Sequence, residues 1–318
     1  MSVWLPTSPC TPQDCAGHDG HTVGLPRAVL RLTAAAALIL FGILGAPPVR
    51  LLPAGPRHTV IRAWSAALVR AFGLPITVHG SAGGAGAGLV VANHVSWLDI
   101  PLVAAVLPSR MLAKSEIRAW PGLGRLAEQA GALFIERDRI RALPGTVATL
   151  TRALLAGDRV TVFPEGSTWC GRAQGPFRRA AFRSAIDARV PVQPVRLDYR
   201  LPGGDTAGAA CFVGDDPLTA SLWRIARARG VRAEVRLLPR IPPGRYAHRR
   251  DLAAAAQAAI TSGDPASVPT PSSPLPGPSA QPDPPSATDR DSANRPSASV
   301  HHRVSSSPAA ASSVRTPS

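Results

Sequence analysis

"VVANHVSWLDIPLV", residues 90–103, decides how this chain is read. Leu89 to Ala92 are apolar and β-favouring; Asn93, His94, Ser96 and Asp99 follow, and then a second apolar run. A strand ending near Asn93 leaves His94 in the loop at its carboxyl end, where α/β sheets gather their chemistry. Ser96 followed by Asp99 three residues later is close to a capping-box pattern, which predicts a helix from Ser96. A tight turn there folds Asp99 back toward the imidazole. An aspartate accepting from one ring nitrogen fixes the tautomer and leaves the other nitrogen as a base. The bland alternative, which spacing alone favours, is that Asp99 only caps the helix and His94 is an ordinary loop residue.

Outward from this stretch, extended and helical runs alternate. Strands are expected at 89–92, 110–113, 132–136, 160–163, 192–199 and 233–237. Helices are expected at 100–106, 123–130, 141–156, 178–188 and 218–229, with a last Ala-rich helix over 250–260. Such alternation predicts an α/β layered domain, taken here as residues 76–262.

The flanks differ in composition. Residues 1–26 are polar and proline-punctuated, and are expected to be a flexible leader. They contain Cys10, Cys15, His18 and His21, a superficially zinc-like group, but no strand or helix pattern supports it and no metal site is assigned. Residues 27–75 are read as a membrane-associated helical segment. Leu32 to Ala46 carry no charge, although a bilayer span needs about 20 residues, so length alone leaves spanning and interfacial attachment open. In "HTVIRAWSAALVRAFG" (58–73), Ile61, Trp64, Leu68 and Phe72 share one helical face while Arg62 and Arg70 point away. That helix is expected in the headgroup region, with packing on the domain as the alternative. Residues 263–318 are rich in Pro, Ser and Ala, and are expected to be disordered because they bury too little apolar surface to fold.

Charge points the same way. The formal net charge is +15, and from Asp264 onward four Asp balance four Arg, so the excess lies before the tail. A body of this kind favours anionic partners such as a membrane surface or phosphorylated substrates. Nucleic acid is disfavoured: the positive charge is spread along the chain, and aromatics, at 5%, do not interleave with it as stacking platforms. Four cysteines in 318 residues make no disulfide scaffold, which favours a reducing compartment.

"NHVSWLD" at 93–99 resembles the His-x4-Asp signature of the glycerolipid acyltransferase family, which includes the 1-acylglycerol-3-phosphate acyltransferases. Four further stretches are similar to the family's blocks, in its order: "MLAKSEI" (111–117), "GALFIERDR" (131–139), "VFPEGSTW" (162–169) and "VPVQPVRL" (190–197). The resemblance covers roughly residues 58 to 240. It implies a layered fold with a mixed sheet flanked by helices, preceded by membrane-associated helices. It implies transfer of a fatty acyl chain from acyl-CoA or acyl carrier protein, as substrate and not as bound cofactor, to a lysolipid hydroxyl. 1-Acylglycerol-3-phosphate is the first acceptor and another lysolipid, including amino-acid lipids, the second. The expected setting is the cytoplasmic face of the cell membrane, among membrane lipids, and the chemistry calls for no metal.

The resemblance also assigns roles. His94 is the base and Asp99 its orienting partner. Arg137 offers a planar fork for phosphate, Glu165, Gly166 and Ser167 shape the acceptor site, and Pro194 is the functional proline of the last block. Lys114, the one lysine among 35 basic residues, falls where the family places one. Read alone, Arg137 is a surface arginine beside Glu136 and Asp138, "PEG" is a turn, and Pro191 and Pro194 suggest an edge strand or a bulge. One departure stands out: where the 1-acylglycerol-3-phosphate enzymes often read Glu-Gly-Thr-Arg, this chain has Thr168 in the arginine's place, with Arg172, Arg178 and Arg179 nearby in sequence. A serine hydrolase built on Ser167 is disfavoured because no Gly-x-Ser-x-Gly elbow occurs. A catalytically inactive lipid-binding relative is disfavoured by the intact His94 and Asp99.

Overall fold

The computed structural model describes residues 8–263 except 19, 82, 83, 85, 137 and 138. Arg137 and the tail expected after Gly263 therefore lie outside the described residues. The amino-terminal elements are α1 (Pro12–Cys15), α2 (Leu25–Arg50) and α3 (Ala54–Ala71). The alternating region follows as β1 (Ile76–His79), β2 (Gly88–Ala92), α4 (Asp99–Val106), β3 (Arg110–Lys114), α5 (Leu123–Gln129) and β4 (Leu133–Ile135). It continues with α6 (Leu143–Leu155), β5 (Arg159–Val162), α7 (Ala180–Ala188), β6 (Val192–Arg200), α8 (Leu218–Arg227), β7 (Arg232–Leu237) and α9 (Arg249–Ser262).

One seven-stranded sheet runs in the order β1-β7-β6-β2-β5-β3-β4. Its pairs are parallel except β6 with β7, so the sheet is mixed. β2 lies near the middle, and both of its faces are covered. Val90 and Ala92 join one apolar core with Leu68, Phe72, Leu102 and Ile225, whereas Leu89 and Val91 join a second with Leu150, Phe182 and Ala256. A strand buried on both sides needs an unbroken apolar run, which is what residues 89–92 supply. Because β2, β3, β4, β5 and β6 run the same way, their carboxyl ends share one edge, and the His94 loop leaves β2 there.

All six expected strands form, and β1 is an addition. It is four residues long and mostly exposed at the sheet margin, too short to carry a periodic signal. β6 is an interior strand, so its proline does not mark an edge. Val192 pairs across to Ile241 and Leu238 donates to the Pro194 carbonyl, while the regular β6–β7 ladder begins only at Val195. Pro194 sits at that interruption, where its missing N–H is not required.

The amino-terminal region departs from expectation. Residues 8–18 and 20–24 are not a free leader: Cys10, Ala16 and Val23 are buried, and Thr22 bridges Ala228 with Val23 N–H donating to the Arg227 carbonyl at 2.8 Å. α3 takes the packed alternative in its second half. It buries Ser65, Leu68 and Val69 against the domain, and Phe72 meets Trp97 edge-on at 5.2 Å. α2 runs well beyond the expected apolar core at both ends and continues through Pro47 and Pro48. Its first turns are anchored by Arg31, whose guanidinium is buried and donates to the carbonyls of Ala226 and Ala228 at 2.9 and 2.7 Å. The rest is largely exposed, with Leu40, Phe41 and Leu44 at 58–69%.

Candidate active site

β2 stops at Ala92 because Asn93 replaces the ladder with its own amide. Asn93 Nδ2 donates to the Leu197 carbonyl and Asn93 Oδ1 accepts from Leu197 N–H, both at 2.8 Å. The strand is thus pinned to β6 while its backbone turns away, and His94 emerges at the sheet's carboxyl edge.

Asp99 organises the turn. It is fully buried at the first position of α4, and its Oδ2 accepts from Val95 N–H at 2.6 Å, Ser96 N–H at 2.9 Å and His94 Nδ1 at 2.8 Å. The two other neighbours of that oxygen are N–H donors, so Nδ1 carries the ring proton and Nε2 keeps its lone pair. Asp99 Oδ1 accepts from Tyr199 Oη at 2.7 Å. Burial, together with the adjacent Asp99, pushes the Tyr199 phenol well above its ordinary range, which keeps it protonated and a donor. The helix therefore starts at Asp99 and not at Ser96. Its carboxylate reaches back to the loop's N–H groups, while Ser96 Oγ takes only Leu98 N–H at 3.3 Å.

Phe163, at the end of β5, stacks on the imidazole with ring centroids 4.2 Å apart and planes 17° from parallel. Two residues on, Glu165 is buried at 2% exposure and ties two loops together. Its Oε2 accepts from His94 N–H at 2.7 Å and its Oε1 from Gly175 N–H at 3.1 Å. Burial pushes this carboxyl up to about 8; the two backbone donors oppose the rise and the nearby Asp99 charge adds to it. Gly166 takes φ +78° in the turn that follows. Ser167 Oγ is buried without a hydrogen-bond partner. Trp169 N–H donates to the His94 carbonyl at 2.7 Å, and Thr168 Oγ1 donates to the Phe212 carbonyl. Phe212 N–H in turn donates to the Val95 carbonyl at 3.1 Å, so three separate segments brace the His94 loop.

Of the residues singled out from sequence, His94, Asp99 and Glu165 are brought into one bonded cluster, with Gly166 and Ser167 on the adjoining turn. Lys114 lies at the carboxyl end of β3, exposed, on the same edge but two strands away across β5. Pro194 is buried within β6, opposite Val91 and beneath the site. Ser167 follows a turn and no helix begins until Ala180, so the strand-to-helix elbow of a serine nucleophile is absent here. Sequence reading missed Tyr199, Phe163, Asn93 and Gly175. Phe163 and Asn93 abut quoted motifs, but nothing local to Tyr199 marks it as a partner of Asp99.

In chemical terms the cluster holds an imidazole of fixed tautomer, 16% exposed, with its free nitrogen directed away from the carboxylate that steadies it. It suits proton abstraction from a hydroxyl. The Acyltransferase family model matches residues 75–198. The lyso-ornithine lipid O-acyltransferase of Pseudomonas aeruginosa is 40% identical over 206 residues, covering 64% of this chain and 78% of that one. The 1-acyl-sn-glycerol-3-phosphate acyltransferase of Neisseria gonorrhoeae is 40% identical over 147 residues, covering 46% of this chain and 57% of that one. Among solved structures, the 1-acyl-sn-glycerophosphate acyltransferase of Thermotoga maritima shares the fold, with a TM-score of 0.56 at 20% identity over 75% of this chain and 93% of that one.

Proposed function

We propose that this chain, which belongs to the glycerolipid acyltransferase family and is an O-acyltransferase, esterifies the free hydroxyl of a lysolipid with an amino-acid headgroup, of the lyso-ornithine class. The observation that carries this acceptor is the loop after Glu165. Thr168 stands where a phosphate-binding arginine is expected, and its hydroxyl is already engaged by the Phe212 carbonyl. The wider match to the Pseudomonas aeruginosa relative supports the same choice, 78% of that protein against 57% of the Neisseria gonorrhoeae one. A second reading, 1-acylglycerol-3-phosphate as acceptor, is favoured by equal identity to the latter and by the arginines at 172, 178 and 179, which follow the loop.

The reaction follows from the bonded geometry. His94 Nε2 takes the acceptor's hydroxyl proton as that oxygen attacks the thioester carbonyl. Asp99, held by Tyr199 and two backbone N–H groups, stabilises the imidazolium without moving. The tetrahedral adduct collapses with cleavage of the carbon–sulfur bond, and the departing thiolate recovers the proton from His94. No acyl-enzyme forms. Acyl-CoA or acyl carrier protein supplies the thioester, and the chemistry requires neither prosthetic group nor metal. The exposed apolar length of α2 lies in the membrane at its cytoplasmic face, where such thioesters are made.

The test is acyl transfer by the purified chain in mixed micelles. Labelled palmitoyl-CoA or acyl carrier protein is supplied with lyso-ornithine lipid, 1-acylglycerol-3-phosphate and other lysophospholipids side by side. Preference for lyso-ornithine lipid, lost in His94→Ala, is expected. Preference for 1-acylglycerol-3-phosphate selects the second reading, and activity surviving in His94→Ala removes the assigned base.

A further inference from the structure

The four cysteines of the sequence, at 10, 15, 170 and 211, come from three distant segments and converge beside the catalytic loop. The sulfurs of Cys10, Cys15 and Cys170 all lie within 4.8 Å of one another. Cys10 and Cys170 are buried, and Cys15 is partly so. The Cys211 thiol adjoins them, fully buried, with its S–H on the Cys170 carbonyl at 3.1 Å. The histidines of the amino-terminal group are not part of the set. His18 Nε2 lies 3.0 Å from the His21 carbonyl oxygen instead. We infer that Cys10, Cys15 and Cys170 bind a thiophilic divalent cation of the zinc class, which pins the amino-terminal strap to the catalytic loop.

The spacing suits such an ion. Zinc–thiolate bonds of about 2.3 Å at tetrahedral angles separate sulfurs by roughly 3.8 Å, so the three need draw together by no more than about 1 Å. The surroundings of Cys170 suit a thiolate as well. Backbone N–H groups of Arg172 and Ala173 are directed at the Cys170 sulfur. Three thiolates around a divalent ion leave one negative charge, and two guanidiniums stand close by. Arg172 reaches the Asp14 carbonyl at 3.5 Å; Arg224 reaches the Cys211 carbonyl at 2.7 Å but is already paired with Asp216, so Arg172 is the one that can offset the charge. A disulfide, by contrast, would join two of the sulfurs and leave the third without a role.

The strap is seated for this purpose. A Cβ on Gly208 would fall 2.1 Å from the Gly17 carbonyl oxygen and 2.7 Å from that of Cys15, so only glycine lets the strap lie this close. Thr11 caps α1 through Asp14 N–H at 3.3 Å, fixing the turn between Cys10 and Cys15. On the other side Cys170 directly follows Trp169, whose N–H holds the His94 carbonyl. An ion on these sulfurs therefore joins the chain leading into α2 to the loop that braces the base.

The experiment uses the full chain in detergent, reduced, stripped with a chelator and titrated with Co2+ and then Zn2+. A thiolate-to-cobalt charge-transfer band that saturates at one ion per chain and is bleached by an equal amount of Zn2+ is expected. Cys10→Ser with Cys15→Ser should abolish it, and because these positions lie on the strap, circular dichroism should show the α/β domain still folded. Absence of the band in wild type, with its thiols reduced and titratable, overturns the site. So does a band undiminished in the strap variant. Discovery of a disulfide among the three sulfurs, in protein whose thiols were blocked at lysis, replaces the metal site with a redox pair.

Discussion

Tyr199 Oη donates to Asp99 Oδ1 at 2.7 Å, so the carboxylate that steadies His94 is itself held by a strand one hundred residues further along. Tyr199 is buried in β6, and its hydroxyl is the side-chain donor on that oxygen. Removing it in Tyr199→Phe leaves a buried carboxylate oxygen short of a partner, a cost of about 1–3 kcal/mol. Asp99 then grips the imidazole less firmly. A fall in kcat of about tenfold is expected, with KM for the lysolipid little changed. Steady-state kinetics of the purified variant checks this, and an unchanged kcat refutes Tyr199 as a positioning residue.

Asp99→Asn tests the other half of the same relationship. Oδ2 accepts from three donors, and an amide oxygen placed there still serves them. The amide has no charge with which to stabilise the imidazolium, and its NH2 faces the Tyr199 hydroxyl. Loss of that electrostatic support is expected to lower kcat by about 10²–10⁴, with vesicle binding retained. If kcat survives, Asp99 is a loop-holding residue and His94 works without it.

Glu165 predicts a pH dependence of stability. In the folded chain its carboxyl is pushed up to about 8, from an ordinary value of 4.5 in the unfolded chain. Between those two values the native state retains a proton that the unfolded state has released, so raising the pH favours unfolding. The group's contribution is therefore greatest below about pH 4.5, declines through the window, and is exhausted above about pH 8. Glu165→Gln removes the titration. It also presents an NH2 to one of the two N–H groups, His94 or Gly175, that the carboxyl now satisfies. Denaturant midpoints measured across the window should fall with pH more steeply in wild type than in the variant. Parallel curves would show that Glu165 keeps an ordinary carboxylate's behaviour.

Much of this was legible in sequence, for identifiable reasons. β2 announces itself because a strand covered on both faces must be apolar throughout, and the polar residues after Ala92 then mark where it leaves the sheet. The His94–Asp99 contact was legible because both partners lie in one turn, where five residues fix their approach. Tyr199 and Gly175 were not, since their partners are remote in sequence and a tyrosine within a buried strand reads simply as core. α3 misled because an apolar stripe faces a membrane or a neighbouring helix equally well; its packing on α4 depends on tertiary structure alone. The strap was missed for the same reason as the cysteine cluster. Polar, proline-rich residues 8–18 and 20–24 lack periodicity, and what holds them is Gly208, Ala228 and Cys170, none adjacent in the chain.

α2 anchors to the domain at its start, and the membrane role proposed for its exposed length can be tested separately from that anchoring. At its start Arg31 is buried and bonded to two carbonyls near the end of α8, and Gly73, at φ +82°, leaves room for the guanidinium. Charged hydrogen bonds of this kind contribute about 1.5–3 kcal/mol each. Arg31→Met should therefore lower the thermal midpoint by several degrees while leaving vesicle binding intact. Further along, Leu40, Phe41 and Leu44 are exposed and touch little of the domain. Each would gain about 1.5–3 kcal/mol on burial in lipid, so replacing all three by Ser weakens partition by about a thousandfold or more. Flotation on vesicles containing anionic lipid should show the triple variant remaining at the bottom of the gradient, with its thermal midpoint near that of wild type. If it still floats, the membrane contact lies on another surface, and the exposed face of α2 loses the role assigned to it.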